Sequence, residues 1–205
     1  SSVDPNDAVA LQGEVRARLM KTGTPGFVPE VPLTMAAARE YVLAKGGIPC
    51  YPVLADGVDP ICPFEADPVA LAEALLNRGI FAAELIPIRN ASATIDAYVR
   101  ALADAGLIVV AGTEHNTLDR IPLDPACTDG PVSAFARAAF FEGLCIVAAH
   151  QHEVAAGRPG YVDAAGNLAG DRGHRGHRER LAELGASLVS PNPDRTANRQ
   201  PTKGA

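Results

Sequence analysis

Residues 92–117, SATIDAYVRALADAGLIVVAGTEHNT, carry the pattern that decides the fold. A hydroxyl side chain, Ser92 or Thr94, can cap a helix at its start, and apolar residues then recur at helical spacing. Gly106 ends this helix, and the apolar run 107–111 predicts a buried strand. A polar loop follows the strand. The residues that share the apolar face of the helix are Ile95, Val99 and Leu102.

The same order of elements occurs twice upstream. Residues 34–57 predict a helix that ends at two glycines and a strand over 48–54. The two prolines of this strand predict either an edge position or a local irregularity. Residues 67–90 predict a second helix and a strand over 80–86. Repeated units of helix, glycine, strand and loop indicate parallel strands joined by crossover helices. A β/α barrel and a doubly wound sheet both satisfy this pattern, but no strand is followed by the glycine-rich phosphate loop of nucleotide-binding sheets.

Composition predicts a soluble globular protein. The chain has 205 residues, 47% of them hydrophobic and 20% charged, which is enough apolar material for one domain with a sizeable core. The net charge of −6 argues against a nucleic-acid-binding surface, and no apolar run is long enough to span a membrane. Four cysteines without a CxxC pair, and no signal peptide, predict reduced, buried thiols in a cytoplasmic protein.

The charge of the chain changes sign near Gly170. Residues 171–205 carry seven Lys/Arg against four Asp/Glu, a net charge of +3, whereas residues 1–170 carry a net charge of −9. We therefore predict one domain over 1–170 and a basic, flexible C-terminal tail over 171–205.

Two helices are predicted beyond the third strand. A long apolar helix runs over about 132–156, with Gly143 as a candidate break, and a short charged helix runs over about 174–184. His150 and His152 spell His-x-His, but residues two apart diverge around a helix and do not share a metal. We expect His150 to be a hydrogen-bonded core residue instead.

Three segments share their order and spacing with a known family. They are GGIPCYPVLADG (46–57), GIFAAELIPIRN (79–90) and LADAGLIVVAGTEHNT (102–117). Together they resemble the later half of barrels of the polymerase and histidinol phosphatase (PHP) superfamily, over residues 34–117. The family's opening His-x-His strand has no counterpart, and Glu114-His115-Asn116 occupy the position of the family's Asp-x-His sequence.

This resemblance implies a partial TIM-like (β/α) barrel with parallel strands, followed by a helical C-terminal extension. It also implies a metal-dependent hydrolase, a phosphoesterase with a divalent metal such as Zn, Mn or Fe and a small anionic or phosphorylated substrate. The chain is then expected to be a fragment. Its first barrel units, with the remaining metal ligands, would come from an upstream segment or from association with another chain.

Glu114 and His115 are the strongest candidates for chemistry. They follow a predicted parallel strand at its carboxyl end, where the loops of β/α barrels converge. A carboxylate and an imidazole there suit a divalent metal that activates water, so both are candidate metal ligands and catalytic residues. The alternative is that Glu114 is an ordinary loop carboxylate and that His115 forms a hydrogen bond with the backbone. Asp56 is the nearest candidate for a further metal ligand, with an Asp-Gly turn as its alternative.

Glu84 lies inside an otherwise apolar strand, where burying a carboxylate costs free energy unless it is paired or bound. We expect it to line the site as a catalytic residue, and an ion pair with Arg89 is the alternative. Arg89, Asn90 and Asn116 are candidate substrate-binding residues, because a guanidinium suits phosphate or carboxylate. Asn90 has a second interpretation, as the cap of the following helix.

Two other functions stay open. The chain could be a non-catalytic barrel remnant that binds a ligand or a partner chain. It could also be a different β/α barrel enzyme, such as an aldolase or an epimerase, whose later units look similar. The catalytic interpretation depends on one spatial expectation, namely that the loops holding Glu84, Arg89, Glu114 and His115 open toward a common cavity at one rim of a parallel sheet.

Overall fold

A computed structural model describes residues 3–29, 31–113, 121–169 and 175–190. The helices are α1 (Ala8–Val15), α2 (Met35–Ala44), α3 (Pro68–Leu76), α4 (Ser92–Asp104), α5 (Ala134–Ala155) and α6 (Arg175–Val189). The strands are β1 (Cys50–Val53), β2 (Ala82–Leu85), β3 (Ile108–Ala111), β4 (Ala126–Cys127) and β5 (Gly130–Pro131). Short helical turns lie at Arg16–Met20, Ala55–Gly57 and Pro87–Arg89.

Strands β1, β2 and β3 form a parallel sheet in that order. Cys50, Ala82 and Ile108 lie side by side at its start. Helix α3 connects β1 to β2, and α4 connects β2 to β3. The parallel strands predicted from the repeated units are therefore confirmed, and the chain is a mixed α/β protein. Strands β4 and β5 form a separate antiparallel pair.

One face of the sheet is covered by α3 and α4. Alternate strand residues, among them Val53, Leu85 and Val109, pack into one hydrophobic cluster with both helices. The largest fully buried side chains that α3 and α4 contribute to this cluster are Leu71, Leu75, Ile95, Val99 and Leu102. Burying one such side chain contributes roughly 1.5–3 kcal/mol, so this layer is a major source of stability.

Helix α5 lies across the opposite face, directly on β3. A Cβ at Gly143 would lie 2.1 Å from the carbonyl oxygen of Val109, so the missing side chain lets the helix approach the strand. Gly143 is thus a contact point rather than the predicted break, and α5 runs through it. In a closed barrel this face looks inward and is filled by side chains of other strands. The described part of the chain forms no closed barrel, so a TIM-like barrel is not confirmed.

Helix α6 packs along α5, which differs from the tail predicted over 171–205. Leu181 is fully buried in a cluster with residues of α5 and the sheet. Arg178 donates a hydrogen bond of 2.7 Å to Glu142 of α5. Residues 175–190 are therefore part of the packed body. Net charge could not show this, because a basic helix can bury one face while its arginines pair with the neighbouring helix.

Strand β1 forms one edge of the three-stranded sheet and contains Pro52. Of the two alternatives predicted from the prolines, an edge position or a local irregularity, the structure shows the edge position, where a residue without an N–H group is tolerated.

The cysteines and helices bear on two further predictions. All four cysteines are free. Cys127 and Cys145 are buried, whereas Cys50 and Cys62 are exposed, so the prediction of buried thiols is wrong for two of them.

Within the described ranges, no helix has the length and apolar character needed to cross a membrane.

Candidate functional site

A cleft of about 700 Å³ opens on the sheet beside α5, and we name it the β1–β2 cleft. It exists because α5 lies on β3 and leaves the same face of β1 and β2 partly uncovered. Strand residues form its floor, α5 forms one wall, and the turn between α2 and β1 forms the other. Its polar and backbone lining includes Lys45, Gly46, Cys50, Glu84, His150 and Gln151.

Glu84 is the acidic side chain of the cleft. It comes from the central strand β2, lines the cleft on the α5 side and is half-buried. Its carboxylate lies over the end of β3, because a Cβ at Gly112 would lie 2.2 Å from Oε1 of Glu84. Within the described ranges no hydrogen bond or ion pair joins this carboxylate to another residue. The alternative of an ion pair with Arg89 is therefore not observed.

A second acidic side chain, Glu65, shows how a buried carboxylate is satisfied in this fold. Its Oε1 accepts the Tyr51 hydroxyl at 2.9 Å, and its Oε2 accepts the backbone N–H groups of Leu54 and Ala55 at 3.0 and 2.8 Å. Glu65 therefore holds the loop after β1 in place. The role of Glu65 was not predicted from the sequence, because its partners belong to a separate segment of the chain. Glu84 has no comparable set of donors.

Cys50 lies beside Glu84 on the edge strand. Its side chain keeps some contact with solvent, but the protein atoms around it desolvate the thiolate. This desolvation, together with the nearby charge of Glu84, raises the pKa of the Cys50 thiol to about 12. The thiol is thus protonated and neutral at pH 7, which is unlike an activated cysteine nucleophile.

Lys45 is exposed at the rim of the cleft. Its Nζ lies 5.9 Å from the centroid of the Tyr41 ring, within the range of a cation–π interaction. No ion pair connects Lys45 with Glu84 in the described structure. The positive charge of Lys45 is therefore directed toward Tyr41 rather than toward the carboxylate.

His150 is part of the α5 wall and is held in one tautomer. Its Nδ1 accepts the Tyr161 N–H at 2.9 Å, so the proton lies on Nε2, which donates to the Gly46 carbonyl at 3.0 Å. Burial lowers the pKa of His150, against the opposing effect of the Gly46 bond. The expectation of a hydrogen-bonded core histidine is confirmed, and His152 is exposed on another side of the helix.

Asp56 lies in the turn after β1, and its carboxylate faces the start of α4. Its Oδ1 accepts the Asn90 side-chain amide at 2.7 Å. Its Oδ2 accepts the Ala91 N–H at 3.2 Å and the Thr94 hydroxyl at 2.8 Å. A carboxylate is favourable there because the first N–H groups of a helix lack partners and carry partial positive charge. Asp56 therefore caps α4, with both of its oxygens engaged.

Asn90 is fully buried and joins two loops. Its side-chain NH2 group donates to the Leu54 carbonyl at 2.8 Å and to Asp56. Its backbone carbonyl accepts the Thr128 N–H at 3.0 Å. Within the described ranges its Oδ1 is buried without a hydrogen-bond partner. Because both side-chain amide hydrogens are used in joining the loops, Oδ1 is the side-chain atom left for a further contact.

Arg89 lies in the turn after β2, is exposed and packs beside Gly57. Arg89 does not line the β1–β2 cleft, whereas Glu84 does. The expectation that these two side chains face a common cavity is therefore not met in this cleft. Glu114, His115 and Asn116 lie outside the described residues.

The described residues do not fit a metal centre. No group of three or more His, Cys, Asp or Glu side chains among them is placed to hold an ion. Asp56 has both oxygens engaged in hydrogen bonds, and His150 has both ring nitrogens engaged. Metal binding by Glu114 and His115 stays a prediction.

The cleft itself was not predicted from the sequence. One signal was present, since Val147, Gln151 and Val154 recur at helical spacing and all line the cleft. The strand that this face meets is set by the contact between Gly143 and Val109, which are distant in the sequence. No local pattern specifies such a contact.

Comparison with known proteins adds no relative. No family model matches the chain, no curated protein matches it, and no solved structure matches it. The resemblance to the PHP superfamily stays an expectation from the sequence.

Proposed function

We propose that this chain is a ligand-binding α/β domain and that the β1–β2 cleft is its binding site. The observation that carries the proposal is Glu84, a half-buried carboxylate that faces the cleft without a hydrogen-bonding or ionic partner among the described residues. Withdrawing a carboxylate from water costs free energy unless a donor or a cation compensates. A bound ligand would supply that donor.

The size and lining of the cleft suit a small molecule. Its volume of about 700 Å³ lies within the range of roughly 300–1,000 Å³ that is typical of small-molecule sites. The apolar lining residues are Ile48, Ala82, Val110, Val147, Val154 and Ala155. A mostly apolar cleft with a few polar groups is the usual arrangement, because the polar groups orient the ligand.

A fragment screen by NMR tests this proposal without assuming the charge of the ligand. The isotope-labelled chain would be titrated with cationic, neutral and anionic fragments while its amide resonances are followed. We expect shifts that cluster at Gly47, Ile48, Glu84 and Val110, all of which line the cleft. Gly13 of α1 lies outside the cleft and serves as the reference.

Two neighbouring residues of α5 give a matched pair of variants. Gln151 and His152 are both exposed, but only Gln151 lines the cleft. Gln151→Trp should fill the rim and weaken fragment binding by about ten-fold or more, equivalent to about 1.4 kcal/mol. His152→Trp should leave it unchanged. The proposal fails if no fragment shifts the cleft resonances, or if Gln151→Trp binds fragments as well as the wild type.

A metal-dependent phosphoesterase of the PHP type is the second candidate. It is favoured by the contact of Glu84 with Gly112, because an acidic side chain then lies at the carboxyl end of parallel strands, against a residue that precedes Glu114 and His115 in the sequence. In this proposal the sheet is the remnant of a TIM-like (β/α) barrel that another segment or chain completes. Arg89 would bind the phosphate, and the metal would supply Lewis-acid chemistry.

Metal analysis and a phosphatase assay separate the two candidates. The phosphoesterase requires Zn, Mn or Fe in stoichiometric amount and turnover of p-nitrophenyl phosphate, and His115→Ala should abolish both. Fragment binding in the cleft without metal or turnover would leave the ligand-binding domain as the function.

We also propose a cytoplasmic location. The four free cysteines are in keeping with a reducing compartment. Fractionation of cells that express the full-length protein would test the location, and recovery outside the cytoplasm would contradict it.

A further inference from the structure

We infer that the β1–β2 cleft selects ligands with a cationic head group that donates hydrogen bonds and an apolar body, such as a primary amine on an aromatic or aliphatic group. This inference rests on the proposed ligand-binding function and specifies the chemistry that the cleft accepts. The head group would meet Glu84, and the body would lie along the apolar lining.

The charges around the cleft leave one negative group facing it. Glu84 is the carboxylate of the lining, and Cys50 beside it carries a neutral thiol. His150 is neutral because its Nδ1 accepts a backbone N–H. Lys45 has its ammonium over the Tyr41 ring. Lys45 forms no ion pair with Glu84 in the described part of the chain, so close to Glu84 an anionic head group would meet repulsion and a cationic head group would meet attraction.

The hydrogen-bonding capacity of the lining points the same way. A carboxylate is an acceptor only, and Glu84 has no donor among the described residues, whereas the buried Glu65 receives three. An ammonium or guanidinium brings several donors to such an acceptor. Charge-assisted bonds of this kind are roughly twice as strong as bonds between neutral groups.

Gly112 fixes where the head group would lie. The carboxylate of Glu84 lies against this glycine at the end of β3, in space that any Cβ would occupy. The acidic group of the cleft is therefore at the carboxyl ends of the strands. Ile48 and Val154 contribute apolar lining along the α2–β1 turn and α5. A ligand with one charged end and one apolar end matches this division.

Three probes with the same ring and different charge test the inference. Benzylamine, benzyl alcohol and benzoate would be titrated into the full chain at pH 7, with the amide shifts of the cleft as the readout. We expect benzylamine to bind about ten-fold or more tightly than benzyl alcohol, as one charge-assisted hydrogen bond allows, and benzoate to bind most weakly. Glu84→Gln should bring the amine and the alcohol to similar affinities.

Glu73→Gln is the matched control, since it removes the same charge from an exposed position of α3 outside the cleft. It should leave the preference for benzylamine intact. If the three probes bind equally, or if Glu84→Gln keeps the preference, the inference is wrong while the ligand-binding function survives. If none of the probes shifts the cleft resonances and the fragment screen is also negative, both are wrong.

Discussion

The two faces of the parallel sheet differ in how completely they are covered. On one face α3 and α4 bury an unbroken apolar layer against all three strands. On the other face α5 covers β3 and the start of β2, and leaves Cys50 and Glu84 partly exposed in the cleft. The crossover helices are tied to the strands on either side of them, whereas α5 is placed by a contact distant in sequence. Both faces thus contribute to the hydrophobic core, but only the face under α5 also has an open cleft that can bind a ligand.

The largest expected loss of stability comes from creating a cavity in the apolar layer under α3 and α4. Leu102→Ala removes a fully buried side chain of α4 and should lower the free energy of unfolding by about 2–5 kcal/mol. Val154→Ala, at a half-buried position in the cleft wall, is the comparison and should cost less than about 1 kcal/mol. Urea denaturation followed by circular dichroism measures both. Equal losses would mean that the two faces are equally packed.

A second pair of substitutions compares the glycines on the open face. A Cβ at Gly143 would meet the backbone of β3, so Gly143→Ala should destabilise the chain by about 1–3 kcal/mol. A Cβ at Gly112 would meet the flexible side chain of Glu84, so Gly112→Ala should cost less than about 1 kcal/mol and displace the carboxylate. Denaturation midpoints and benzylamine titrations give the two readouts. Unchanged amine binding in Gly112→Ala would contradict the position assigned to the head group.

A third comparison concerns the contributions to stability of two carboxylates near the ends of the strands, those of Asp56 and Glu84. Asp56→Ala removes the cap of α4 and should cost about 0.5–2 kcal/mol. Glu84→Gln removes no hydrogen bond seen in the described structure and should change stability by less than about 0.5 kcal/mol. Thermal unfolding at constant pH measures the difference. A large loss for Glu84→Gln would show that this carboxylate has a structural partner.

The smallest effect is expected in the pH dependence of stability. The pKa of His150 is lower in the folded chain than its ordinary value of 6.5, because burial opposes the charged form. The unfolded chain therefore takes up the proton first, and the folded state loses stability as pH falls from about 6.5 through the lowered pKa. Above pH 6.5 this contribution is fully present.

His150→Gln should flatten that slope, whereas His152→Gln should keep it, because His152 is exposed on the same helix. Unfolding free energies measured between pH 5 and pH 8 compare the two variants with the wild type. An unchanged slope in His150→Gln would assign the pH dependence to another group.

The sequence predicted the three strands and their connecting helices because periodicity and glycine stops are local signals. Gly106, for instance, follows α4 and precedes β3 as expected. The start of α4 was less well predicted. Ser92 or Thr94 was expected to cap it, but the N-cap is Ala91, and carboxylates from two distant loops accept its first donors. Such partners are brought together only by the folded chain.

The candidate site was predicted in part. Glu84 was singled out because a carboxylate in an apolar strand needs compensation, and it lies in the cleft. Asp56 was a candidate metal ligand and caps a helix instead. Gly143 was a candidate break in α5, because glycine is unfavourable inside a helix. In the structure α5 runs through Gly143, which is the point where the helix meets β3. A single sequence does not distinguish these two uses of glycine.

Pro52 has a consequence for the behaviour of the chain in concentrated solution. It lies in β1, at an edge of the sheet, where a strand from a neighbouring molecule could otherwise be recruited. A proline offers no amide hydrogen to an incoming strand, and prolines are depleted from segments that stack into cross-β fibrils. The edge beside the cleft is thereby a poor template for amyloid growth.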